Sequence, residues 1–335
     1  MKQKKRKLDL EAPLEKQLKG ILQGIPKLDV QTAREFLQLL HADDKHTGRG
    51  TGHKRKQLFP EALATMQPYP LDVAHPRRQM WMVSLPALLQ RKVDSCALFR
   101  ECFRQALQKR RNHLEVLIYW DEAVPGNPLS PDLARKSALW YVGFPDFPVV
   151  FLDTCWLTLA CCRTEDLQQT EEGYCKAMTK MLRALVNEVK DGFAITFGED
   201  AELVCIRKIS FLADGDGIRA CTGSKGASGK KCCFRCTNVL SGNHIAVPGH
   251  EHISSHAVEN FEASSIATIC SIATYLRGIQ VASARAKAET MLGWKAAALQ
   301  ESFLLDPDLK SWIGLSDILY DPMHCFVSSG IVSRK

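Results

Sequence analysis

The sequence predicts a mixed α/β fold, and three observations carry that prediction. Two β-type runs, HLEVLIYW (113–120) and ELVCIRKISFLA (202–213), each stop at an aspartate, Asp121 and Asp214. Two more strand candidates, SALWYVGF (137–144) and PVVFL (148–152), lie between them. One apolar stripe at helical spacing, Tyr174, Met178, Met181, Leu182, Leu185 and Val189, then separates these from the 202–213 run. Several strands, a helix and a returning strand build a mixed sheet flanked by helices.

Taken in order, residues 1–68 read as a basic, partly disordered helical arm. Val30, Ala33, Phe36, Leu37 and Leu40 recur at helical spacing, and HADDKHTGRGTGHKRKQ after them has the composition of a loop. Residues 69–112 read as a helical segment. Leu88, Leu89, Val93, Leu98, Phe99, Phe103 and Leu107 predict one long helix over 85–111, closed by Lys109, Arg110 and Arg111. Cations there suit the negative end of the helix dipole. Residues 113–220 hold the first part of the sheet, and 221–260 form a Gly-, Cys- and His-rich insertion with poor periodicity. Residues 261–335 turn helical again through VASARAKAETMLGWKAAALQ and end in SDILYDPMHCFVSSGIVSRK, without a closing element. No internal repeat is visible.

Composition removes several classes. The chain has 335 residues, 45% apolar and 24% charged, with a net charge of +7, so neither the low apolar content nor the high charge of a disordered chain is present. A chain of this length buries roughly 75% of its extended surface, and its length predicts about two domains. MKQKKRK has no apolar run behind it and is not a secretory signal. The longest apolar stretch, 147–162, is interrupted by Asp153 and falls short of the ~18 residues of a membrane span, so no membrane partner is expected. Thirteen scattered cysteines in a chain with ample core predict a reducing compartment rather than a disulfide framework.

Positive charge is clustered: Lys2, Lys4, Lys5, Arg6 and Lys7; Arg49, His53, Lys54, Arg55 and Lys56; and Lys109, Arg110 and Arg111. Each run alone reads equally as a solvated face. Three of them in the first third of the chain, with a pI near 8.7, point to a polyanion partner and a nuclear location.

Two acids at strand ends are the first chemical candidates. Asp121 and Asp214 would project from the carboxyl edge of a sheet into the crevice where open α/β sheets bind ligands. Carboxylates from separate strands can share Mg²⁺ ions, and a metal pair about 4 Å apart serves phosphoryl transfer. Aspartate is also an ordinary turn residue after a strand. SKGASGKK (224–231) fails as a P-loop, because Ser224 replaces the first Gly and Lys231 the hydroxyl residue. Asp214-Gly-Asp216-Gly fails as a calcium loop, because Ile218 fills the third ligand position. After Cys233-Phe-Arg-Cys236, fifteen residues separate Cys236 from His252 and three separate His252 from His256, a spacing suited to a structural Zn²⁺ site. Pro248-Gly249 breaks the helix of a finger, and His244, His250, Cys221 and Cys232 are rival ligands. Cys325 directly follows His324, which argues against a Cys–His hydrolase pair.

Three segments together, YWDEAVPGNPLSPDLARKSALWYVGF (119–144), FLADGDGIRACTGSKGASGKKCCFRCTNV (211–239) and LSDILYDPMHCFVSSGI (315–331), resemble CACTA-type (En/Spm-like) DNA transposases and related transposon-encoded proteins. The resemblance spans about 113–335. It implies an RNase H-like core with a DDE triad: Asp121 as the first acid on the first strand, and Asp214 as the second, after the fourth strand, with Asp216 as fallback. Asp321-Pro-Met-His324 resembles the family's Asp-x-x-His motif between the second and third acids. His324 is then expected near the site, against a substrate phosphate or an acid, or else as an ordinary core histidine. The Cys233/Cys236 pair resembles the Cys-rich insertion. The third acid, a Glu on a following helix, would fall past Lys335, so the core is expected to be incomplete at its C-terminus and activity stays open.

The expectation is therefore a transposase-derived, DNA-binding nuclear protein whose intact form cleaves and joins DNA ends by two-metal Mg²⁺ chemistry. Structural Zn²⁺ would brace the insertion, and pairing two DNA ends implies a homo-oligomer. The rivals are a catalytically inactive nucleic-acid-binding remnant and an unrelated nuclear scaffold.

Overall fold

Residues 66–72, 74–123, 136–147, 155–241, 244–247, 250–253 and 258–321 are described by the computed structural model. They form a mixed α/β architecture with an eight-stranded, curled sheet and eight helices. Among the described residues no helix is long and apolar enough to cross a membrane. The arm expected over 1–65 and the strand expected over 148–152 lie outside them.

The segment 69–112 is not helical throughout. It opens with two strands, β1 (Met66–Pro70) and β2 (Gln79–Val83), paired antiparallel at one sheet edge. The single helix expected over 85–111 is two helices, α1 (Leu85–Ser95) and α2 (Ala97–Arg110). Cys96 stands between them in extended conformation. Its N–H closes α1 on the Lys92 carbonyl, and its sulfur accepts from Phe99 N at 3.5 Å to open α2. The break lets both apolar stripes, Leu85–Leu89–Val93 and Phe99–Cys102–Phe103–Ala106, face the core.

Alternation then dictates the sheet. In β3 (His113–Ala123), Leu114, Val116, Ile118 and Trp120 are buried on one face, while Tyr119 and Asp121 occupy the other. β4 (Ser137–Gly143) pairs antiparallel with β3, setting Tyr141 beside Tyr119 and Leu139 beside Asp121. β5 (Leu157–Arg163) continues antiparallel to β4 and joins β2. After α3 (Thr164–Gln169), helix α4 (Gly173–Val189) buries the expected stripe, Met178, Met181, Leu182, Leu185 and Val189. The chain returns through the hairpin β6 (Phe193–Phe197) and β7 (Asp200–Ala213), whose two-residue turn uses Gly198 at φ +74°. β7 runs parallel to β3.

Helix α5 (Gly215–Thr222) follows at once. The Cys/His-rich insertion carries a small three-stranded sheet, β8 (Val239–Leu240), β9 (His244–Val247) and β10 (His250–Ile253). Helices α6 (Ile266–Gly278), α7 (Ala282–Leu292) and α8 (Ala296–Gln300) fulfil the helical expectation for that region. The last described segment carries β11 (Ile318–Tyr320), parallel to β7, and the expected open end of the core lies outside the described residues. The main sheet thus runs β1-β2-β5-β4-β3-β7-β11, with β6 on β7. The three parallel strands β3, β7 and β11 are adjacent, and their carboxyl ends share one edge.

Candidate functional site

Register places the acids. Tyr119 lies opposite Leu212, so Asp121 and Asp214, each two residues on, leave β3 and β7 at the same level. Tyr320 lies opposite Ala213, and the Asp321 N–H donates to the Ala213 carbonyl at 2.8 Å, so Asp321 ends level with Asp214. Register thereby sets three of the sequence-selected acids level at one end of three neighbouring strands, although their side chains do not form a group poised to hold a metal ion. Asp121 is exposed, Asp214 half-buried and Asp321 7% exposed.

Each acid has a different local task. Asp121 accepts from the next backbone N–H, that of Glu122, at 2.8 Å through Oδ1. Asp214 is the N-cap of α5: its Oδ1 accepts from Gly217 N at 2.6 Å, which satisfies one of the unpaired donors of the first turn. Gly217 is required where it stands, because a Cβ there would come within 2.3 Å of the Trp120 ring. Close packing of α5 on β3 therefore fixes the Asp214 turn. Asp216, the fallback acid, is exposed on α5 and ion-pairs with Arg219 one turn later.

The residue at the centre of the acids was not singled out from sequence. Tyr119 packs between Tyr141 (centroids 6.1 Å) and Trp156 (5.9 Å), and its hydroxyl reaches Asp321 Oδ2 at 3.5 Å. Burial pushes its phenol well above the ordinary range, and the charges of Asp121, Asp321 and Asp214 push it further. Burial followed by the Asp121 charge raises Tyr141 in the same direction. All three carboxylates thus act on one ring. The alternation of β3, with Tyr119 two residues before Asp121, was the available signal. Glu122, next to Asp121 but on the opposite face, is held by Lys136 Nζ (2.5 Å), Tyr174 Oη (3.1 Å) and Thr164 Oγ1 (3.2 Å).

The second candidate centre is only partly assembled. Cys233 and Cys236 share a hydrogen bond, and burial, with Cys233 beside it, pushes the Cys236 thiol up to about 11. His252 belongs to β10, while His256 and His324 lie outside the described residues. Among the described residues, no group of three or more His, Cys, Asp and Glu side chains is poised to hold a metal ion. The donor chemistry still separates two preferences: carboxylate oxygens at the strand ends suit Mg²⁺, and paired thiols suit Zn²⁺.

No family model matches the chain, and no curated protein does.

Of the basic runs, only Lys109, Arg110 and Arg111 are described. They cap α2 at the start of β3, eight residues before Asp121, or about 26 Å along an extended strand. Arg110 donates from Nε to Asp146 Oδ1 at 2.6 Å. This run therefore does not line the acid site.

Proposed function

We propose that this chain is a transposase-derived DNA-binding protein with an RNase H-like core, and that its acid edge serves metal-assisted cleavage and joining of DNA ends. The observation that carries the reading is the level meeting of Asp121, Asp214 and Asp321 at the carboxyl ends of adjacent parallel strands. The strand order supports it as well. Three antiparallel strands, β5-β4-β3, continue into two parallel ones, β7 and β11, with the first acid on the central strand.

Asp121 and Asp214 would hold Mg²⁺, which when bound activates an attacking oxygen and stabilises the leaving one. The chain's own residues do the positioning. The Gly217 N–H fixes Asp214 Oδ1, which orients the other carboxylate oxygen. Exposed Asp121 faces the incoming phosphate, and Asp321 is held against Tyr119. Nuclear location, a structural Zn²⁺ at Cys233 and Cys236, and pairing of two copies belong to the same reading.

The inactive-remnant reading has one observation in its favour: the Asp214 carboxylate already has a structural use as a helix cap. Supercoiled plasmid incubated with the full chain and Mg²⁺ separates the two. The first reading expects nicking that Asp121→Ala abolishes while DNA binding survives. Binding without nicking by the wild type would establish the remnant reading instead.

A further inference from the structure

One helix pair leaves an apolar face in water. α7 is eleven residues long and none of its residues is buried, although a helix so short holds its shape chiefly by packing an apolar face. α6 sends Ile269, Ala273 and Leu276 into the core and leaves Ile272 and Tyr275 in the gap beside α7. With Ala284, Ala288, Met291 and Leu292 of α7 these two line an open groove of about 590 Å³. Tyr275 is 60% exposed and Met291 53%, and Val281 at the α7 N-cap is 63% exposed. Among the described residues these are the three most exposed of the large hydrophobic side chains but one, and two of them face the same groove. Apolar side chains gathered in that way mark a docking surface, whereas scattered ones do not.

Charge says what kind of chain fits. Lys287 lines the groove and is exposed, as is Arg277 in the last turn of α6. Glu289, the one acid of the two helices, is committed to Ala296 N at 2.8 Å. A second copy of this face would set cations against cations, which penalises self-pairing. The occupant should instead carry an apolar stripe flanked by acids. Residues 29–44, DVQTAREFLQLLHADD, have that character: Val30, Ala33, Phe36, Leu37 and Leu40 recur at helical spacing, with Asp29, Glu35, Asp43 and Asp44 against Arg34 alone. At 1.5 Å per residue the Val30–Leu40 stripe is ~15 Å long and the α7 face from Val281 to Leu292 is ~16 Å. The chain from Leu40 to Met66, where β1 begins, reaches ~85 Å when extended, about four times the ~20 Å radius of gyration of a chain this size.

We propose that the α6–α7 groove is the docking site of the chain's own residues 29–44. The apolar stripe of that segment lies in the groove against Tyr275 and Met291, and its acids face Lys287 and Arg277, the helix-in-groove mode of recognition. The inference does not depend on the chemistry of the acid edge. It has a consequence for the arm. The basic run Arg49–Lys56 begins five residues after Asp44, so docking of 29–44 holds that run at the rim of the α6–α7 face. The groove then decides where on the protein this run meets a polyanion.

The test uses the full chain and two readouts. Amide hydrogen exchange of the peptide covering 281–292 is compared between wild type and Leu37→Asp. Docking should slow exchange there about tenfold in wild type relative to the variant, with β3 and α4 exchanging alike in both. Equal exchange of 281–292 in the two proteins would overturn the proposal. The second readout needs no substitution: zero-length carbodiimide coupling of wild type should join Lys287 to an acid of 29–44. Coupling in a mixture of ¹⁵N-labelled and unlabelled chains should give products of a single isotope. Absence of any such product would also overturn the proposal. Products that combine the two isotopes would overturn it too, because the occupant would then come from a second copy.

Discussion

Asp214 offers the sharpest test, because its two candidate roles respond differently to two substitutions. As an N-cap it needs only a side-chain oxygen that accepts from Gly217 N, now 2.6 Å away. Asparagine supplies that oxygen and alanine does not. Losing a cap costs about 1 kcal/mol, and here the cost should approach ~2 kcal/mol because Gly217 is buried and its N–H loses its acceptor. In a chain of this size that corresponds to a fall in Tm of roughly 2–5 °C. Asp214→Asn should therefore melt like wild type and Asp214→Ala should not. As a metal ligand, however, the residue needs its charge, so both variants should lose Mg²⁺-dependent nicking. Urea or thermal denaturation beside a plasmid-nicking assay measures both on the same preparations. Nicking that survives in Asp214→Asn would refute the ligand role. Equal stability of all three proteins would refute the capping argument.

Three further outcomes are expected. Gly217→Ala drives a methyl into the Trp120 ring and should cost ~1–3 kcal/mol by overpacking, with a shift in tryptophan emission because the displaced ring sits in the core. Burial raises the thiols of Cys102 and Cys162 to about 12 from an ordinary 9.0, so their protonated forms are stabilised by folding. That stability is complete below pH 9 and is lost as pH rises toward 12, by at most ~1.4 kcal/mol per pH unit for each thiol. Urea unfolding between pH 8 and 11 should follow this slope, which Cys102→Ala should flatten. If the proposed DNA-binding reading holds and the basic runs neutralise phosphates, DNA affinity should fall linearly on a log–log plot against salt, and removing residues 2–7 should reduce the slope.

The sequence was most legible where periodicity was long. The 113–120, 137–144 and 202–213 runs and the Tyr174–Val189 stripe all correspond to elements, because eight or more residues of alternation or helical spacing leave little ambiguity. Short elements were not legible. β6 was missed although Phe193, Ile195 and Phe197 alternate before a Gly turn, and β5 was hidden in an apolar stretch weighed only against a membrane span. β11 has three residues, two of them exposed, and no pattern could reveal it. The break at Cys96 was invisible for another reason, since both halves have helical spacing and only tertiary packing rotates one against the other. At the candidate site, Asp121 and Asp214 were visible as acids following apolar runs, whereas Asp321 was singled out only through the resemblance of Asp321-Pro-Met-His324 to a family motif. Tyr119 was not, because its role arises from a neighbour 202 residues away.

The level meeting of the three acids follows from register, and register is where the arrangement is most exposed to change. Successive side chains in a strand point to opposite faces, so a slip of one residue between β11 and β7 would turn Asp321 away from Tyr119. β3 and β7 are protected from such a slip by seven ladder pairs and by Trp120 locked under Gly217. β11 has three pairs only. What holds it in phase must therefore come from side chains: Ile318, fully buried in the core, at one end, and Tyr320, flanked by Phe234 and Gly215, at the other. Substituting Ile318 with alanine should destabilise the whole protein by a cavity cost of ~2–5 kcal/mol. Losing the Phe234 ring face should instead act first on Asp321, because the residue it supports is at the surface.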